Sequence, residues 1–120
     1  MSALDLSTRE RQTIRIILPS RKKSFFKKRG TLTLDVYTPT KSTREMFTFL
    51  GESLIKISKN EATEKDIDLL YDVTARILSR NKQYREIFKN DLEDLLEIPE
   101  VVSILKAYAD FLTETIESKN

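Results

Sequence analysis

Hydrophobic and polar positions along this chain follow two different periods, and the switch between them divides it in two. Residues 31–38 alternate strictly: Leu32, Leu34 and Val36 fall on one side, Thr31, Thr33, Asp35 and Tyr37 on the other. A period of two marks a half-buried strand. Residues 13–18, TIRIIL, are rich in β-branched side chains and predict a second strand, paired antiparallel with the first. Pro19 and Gly30 punctuate the long basic connector between them, PSRKKSFFKKRG. Residues 1–12 are polar and without a period, as expected of a fraying chain end.

After Pro39 the period becomes 3.6. Ser42-Thr43-Arg44-Glu45 fits a capping box, a Ser hydroxyl and a Glu carboxylate each satisfying a free backbone N–H. Met46, Phe49, Leu50, Leu54 and Ile57 then form one stripe, which predicts a helix over 43–58. Gly51 inside it costs about 1 kcal/mol relative to Ala, so a close neighbour is expected there. Thr63-Glu64-Lys65-Asp66 opens a second helix bearing Ile67, Leu70, Tyr71, Thr74, Ile77 and Leu78. Arg80-Asn81 closes it, with Asn81 available as a left-handed cap. Residues 84–88 read equally as one helical turn or as a connector. Asn90 is the expected cap of a short helix with Leu92, Leu95 and Leu96. Pro99 suits the first turn of a last helix that runs to residue 117. The expected fold class is α+β, mainly helical: an N-terminal β-hairpin, then a bundle of three to four helices, in one domain of 120 residues.

Composition narrows what such a domain can do. A 39% hydrophobic fraction supports one modest core, and a 33% charged fraction implies long solvated faces. No apolar run approaches the roughly 20 residues of a membrane helix. The stretch Ile16-Ile17-Leu18 is too short for a signal-peptide core, so a cytoplasmic protein is expected. The chain has no cysteine and no histidine. A disulfide framework and a thiolate metal site are excluded, and the usual general base near neutral pH is missing. Gly30 and Gly51 are the only glycines and stand too far apart to build a phosphate-cradling loop. No nucleophile–base pair is legible from spacing. An enzyme, a cofactor and a bound metal are all disfavoured.

Charge is divided unevenly. Residues 1–41 hold ten Lys/Arg against three Asp/Glu, and residues 42–120 hold eleven against sixteen. Two surfaces with different partners, or head-to-tail association, produce such a split. Arg21, Lys22, Lys23, Lys27, Lys28 and Arg29 surround Phe25 and Phe26 in the connector. Cations interleaved with aromatics bind nucleic acid, an anionic membrane or an acidic protein segment. A solvated hairpin tip whose two Phe fold back on the core reads equally well.

The helices carry more apolar residues than one seam requires. Met46, Phe47, Leu50 and Ile55 on the first, and Val102, Ala109 and Ile116 on the last, are the candidate contacts for a partner protein or a second copy. The competing reading buries both helices on two sides within the domain. The acidic run Asp91, Glu93, Asp94, Glu97 and Glu100 lacks the spacing of a calcium loop and reads as a solvated face. Tyr71 and Tyr108 sit at apolar helical positions, as core residues with a wet hydroxyl.

Taken in order, the hairpin ending near Thr38-Pro39-Thr40, then STREMFTFLGESL, ATEKDIDLLYDVTARILSRN and DLEDLLEIPEVVSILKAYADFLTE resemble the tail assembly chaperones of long-tailed bacterial viruses, especially those of Gram-positive hosts and their prophages. The resemblance runs over residues 31–117 and is most suggestive from Leu70-Tyr71-Asp72 to Leu78-Ser79-Arg80-Asn81. It implies a protein that coats the long, aggregation-prone tape-measure protein before the tail tube forms, and is then displaced. It also implies, in many members, a longer form made by translational frameshifting. The family has no shared active-site motif, so the resemblance assigns no site residues. A small nucleic-acid-associated regulator using the basic connector is the alternative.

Overall fold

The alternating segments bury their apolar sides together only in one register, because a slip of one residue would turn every side chain to the opposite face. β1 (Thr13–Pro19) and β2 (Thr31–Tyr37) pair antiparallel in that register. Ile14, Ile16 and Leu18 stand opposite Val36, Leu34 and Leu32 on the inner face. Arg15 stands opposite Asp35 on the outer face, where its Nε donates to Asp35 Oδ1 at 3.0 Å. The computed structural model describes residues 12–19 and 31–118, with side chains through Glu114.

Four helices follow: α1 (Lys41–Ser58), α2 (Glu64–Leu78), α3 (Lys89–Leu95) and α4 (Ile98–Ser118). The fold is α+β and mainly helical, a two-stranded hairpin leading into a helical bundle, as the change of period predicts. A lone hairpin is marginal in water; here α2 and α4 cover its inner face. The Tyr108 hydroxyl ties α4 to the sheet by donating to the Tyr37 carbonyl at 2.9 Å. α2 packs against α1, α3, α4 and β2, and seven of its residues are buried. Ile16, Leu18, Leu34, Val36, Leu50, Leu70, Val73, Ile77, Leu92, Leu95, Val101, Leu105 and Tyr108 belong to one apolar cluster.

Helix ends differ from expectation in instructive places. α1 starts at Lys41, capped by Thr40 and not Ser42: Thr40 Oγ1 accepts from Thr43 N–H at 3.4 Å. Thr40 is the last extended residue after Pro39, at ψ 170°, so its hydroxyl already faces the first turn. Glu45 turns to Lys41, 3.9 Å away, and does not close a capping box. The box does form on α2, with Thr63 and Asp66 bonding each other's backbone N–H. Asp66 also accepts from the buried Ser53 hydroxyl at 2.8 Å, which joins α1 to α2. These donors, the Thr63 backbone first and then Ser53, hold the Asp66 carboxyl below the usual carboxylate range.

α1 ends in a Schellman motif with Asn60 as the left-handed residue, at φ 61°. Asn60 N–H donates to Ile57 at 3.1 Å and Glu61 N–H to Lys56 at 2.8 Å. The expected left-handed cap, Asn81, has another task, because α2 closes on Ser79 in right-handed geometry. α3 starts at Lys89 from Phe88, with no side-chain cap, so Asn90 is not its cap. Residues 84–88 form a connector. α4 begins one residue before Pro99, and Glu100 reaches back to accept from Glu97 N–H at 2.8 Å. Gly51 has open space where a Cβ would stand, so no close neighbour explains it. The tyrosine hydroxyls are not wet: Tyr71 donates to the Leu96 carbonyl at 2.7 Å in the interior. Burial raises the pKa of both Tyr71 and Tyr108.

Candidate functional site

The seven apolar candidates do not form one surface. Leu50 is fully buried and belongs to the core, not to a face offered to a partner. Met46 and Val102 are half-buried against the core, and Ala109 is half-buried. Phe47 packs on Tyr108, ring centroids 5.8 Å apart, and Tyr108 packs in turn on Phe111 at 6.1 Å. The apolar surplus of α1 on that side is therefore consumed within the chain. Among the members of the set whose side chains are described, Ile55 alone is exposed, at 56%. The Ile116 side chain lies outside the described residues. So do Arg21, Lys22, Lys23, Lys27, Lys28 and Arg29 of the basic connector, with Phe25 and Phe26.

Other large apolar side chains stand in solvent. Phe49 is 75% exposed, Tyr84 94%, Phe88 55% and Ile17 58%. The helical period predicts Phe49 on the core stripe. At 100° per residue it falls about 100° from Leu50, and the α1 core face centres on Leu50, beyond its reach. Phe49 and Ile55 flank the polar face of α1, with Lys56 and Glu52 between them on the helical surface.

Tyr84 and Phe88 are displayed by a loop that is locked in place. Residues 80–82 lie along the free side of β2: Tyr37 N–H donates to the Arg80 carbonyl and Lys82 N–H to the Asp35 carbonyl, each at 2.9 Å. The buried Asn81 amide donates to the carbonyls of Leu78 (2.7 Å) and Arg85 (2.8 Å), and its oxygen accepts from Arg85 N–H at 2.9 Å. Arg80 donates from Nε and Nη2 to the Thr38 carbonyl. The Gln83 amide bonds Asp35 twice, accepting from its N–H at 2.8 Å and donating to Oδ2 at 2.7 Å. Arg15, then Gln83, keep the Asp35 carboxyl below its ordinary pKa. Ser79 Oγ accepts from Ile87 N–H at 3.0 Å. Within this frame Tyr84 takes φ 55°, a left-handed conformation costing a bulky residue about 1–2 kcal/mol. The Asx/Ser/Gln chemistry of residues 79–83 was the signal available in the sequence. Its meaning needed the partner strand, more than forty residues earlier.

A groove of about 480 Å³ opens between β1 and α4, lined by Ile14, Arg15, Ala107, Asp110, Phe111 and Glu114, together with Thr13. Among the described residues no group of three or more acidic side chains is placed to hold a metal ion. Among the described residues no helix is long and apolar enough to cross a membrane. The arrangement offers rigidly mounted apolar anchors and hydrogen-bonding edges, the chemistry of binding. No known family, no curated protein and no solved structure matches the chain.

Proposed function

We propose that this protein is a tail assembly chaperone of a long-tailed bacterial virus or prophage, binding the tape-measure protein and keeping it soluble in the host cytoplasm. One observation carries the reading beyond the sequence resemblance. Phe49, Ile55, Tyr84 and Phe88 are held in solvent by structured elements, while eighteen other apolar residues among those described are buried. Surface apolar groups on rigid mounts, separated by charge, engage an aggregation-prone helical client without collapsing onto each other.

Co-expression with a candidate tape-measure protein, followed by size-exclusion chromatography with light scattering, tests it. A soluble complex containing several copies of this chain is expected, against an insoluble client alone. A client that stays insoluble while this chain elutes by itself overturns the reading. Saturable DNA binding that weakens steeply with salt would then transfer the function to the basic connector.

A further inference from the structure

We infer that the groove between β1 and α4 is a strand-addition site for an extended segment of another protein, with Lys or Arg and a small apolar residue at alternate positions. Three independent features meet there. The first is a backbone edge. β2 has β1 on one side and residues 80–82 on the other, whereas β1 has β2 as its strand partner and, among the described residues, none on its other side. An unpaired edge offers a row of N–H and C=O groups to an incoming strand.

The second is a matching wall. Ala107, Asp110, Phe111 and Glu114 follow the i, i+3, i+4, i+7 pattern, so one stripe of α4 faces the groove. That stripe spans about 10 Å at 1.5 Å per residue. Thr13 to Arg15 of β1 span about 7 Å at 3.3 Å per step, within the length of that stripe. The site therefore takes three to four residues of extended chain. Their inward side chains, two residues apart, project toward α4.

The third is charge. Ile14, Ala107 and Phe111 make an apolar floor, and Asp110 and Glu114 an acidic rim. Asp110 and Glu114 are exposed, and the last turn of α4 carries no basic residue. The one cation of the lining, Arg15, is turned to Asp35. A Lys or Arg stem lies on the floor while its head reaches the rim, and an apolar neighbour two residues on fills the space against Ile14. An acidic segment is repelled. This inference does not rest on the tape-measure reading, since any protein with such a segment qualifies.

The test is fluorescence anisotropy of a labelled acetyl-TKTVTKT-amide peptide titrated with the full chain. Saturable one-site binding is expected, and the acidic counterpart TETVTET should not bind. The double reversal D110K with E114K changes two exposed side chains and should weaken binding by about tenfold or more, with an unchanged circular dichroism spectrum. Peptides N-methylated on one or the other alternate set of amides separate strand addition from simple charge attraction. One set should abolish binding and the other leave it. No saturable binding by the parent peptide, equal tolerance of both methylated peptides, or undiminished affinity of the double variant would each overturn the proposal.

Discussion

α1 and α2 have nearly the same pattern on paper and opposite fates in the fold. Both are amphipathic and both follow a Thr cap. α2 buries Leu70, Tyr71, Val73, Thr74, Ala75, Ile77 and Leu78 in 15 residues, whereas α1 buries Thr43, Leu50 and Ser53 in 18. The difference lies in the neighbours. α2 is enclosed by α1, α3, α4 and β2, and α1 packs mainly against α2. The lesson is that α2 organises the domain and α1 is free to present Phe49 and Ile55. Its surplus hydrophobicity is partly structural, through Phe47 on Tyr108, and partly open to a partner.

The contrast breaks hardest at Leu70. Leu70→Ala in the enclosed helix should cost about 2–5 kcal/mol, read by urea denaturation. Tyr71→Phe should follow at about 1–3 kcal/mol, because it leaves the Leu96 carbonyl in the interior without its donor. On α1 the sign reverses. Gly51→Ala should stabilise by about 1 kcal/mol, since the helix gains propensity and a Cβ meets nothing within 4 Å. An unchanged or lower midpoint would reveal a need for glycine there.

The junction of the two helices should show in acid. Asp66 has a lowered pKa in the fold, so the unfolded chain binds its proton more readily. Its contribution is complete above the ordinary value of 3.8 and is lost as pH falls through the lower folded value. Melting temperatures between pH 5 and pH 2 should fall, and Asp66→Asn should flatten that fall. The smallest stability effect belongs to the exposed pair. Phe49→Ser with Ile55→Ser should stay within about 0.5 kcal/mol per site. On the proposed chaperone role, the same variant should fail to keep a co-expressed tape-measure candidate soluble. A pair that destabilises the fold while retaining the client would assign these residues to packing instead.

The sequence by itself determined the elements and their order, because period is a local property. Strict alternation at Leu32, Leu34 and Val36 required a strand with one buried face, and the Thr63–Asp66 spacing required a helix start. Local chemistry was also enough to assign Tyr71 and Tyr108 to the interior. Which apolar residues remain outside was a different question. Phe49 and Leu50 are adjacent in the chain and equally apolar, yet one stands in solvent and the other is sealed. Only the position of α2 and α4 against α1 separates them. The same holds for Asn81, whose side chain suits a left-handed cap as well as the clamp it forms. α2 closes on Ser79 in right-handed geometry instead, and β2 drew residues 80–82 alongside it. The groove between β1 and α4 likewise joins residues nearly a hundred positions apart. Tertiary structure decided these points because exposure and pairing depend on what neighbours each residue in space, and the local pattern specifies only which way a side chain points from its own element.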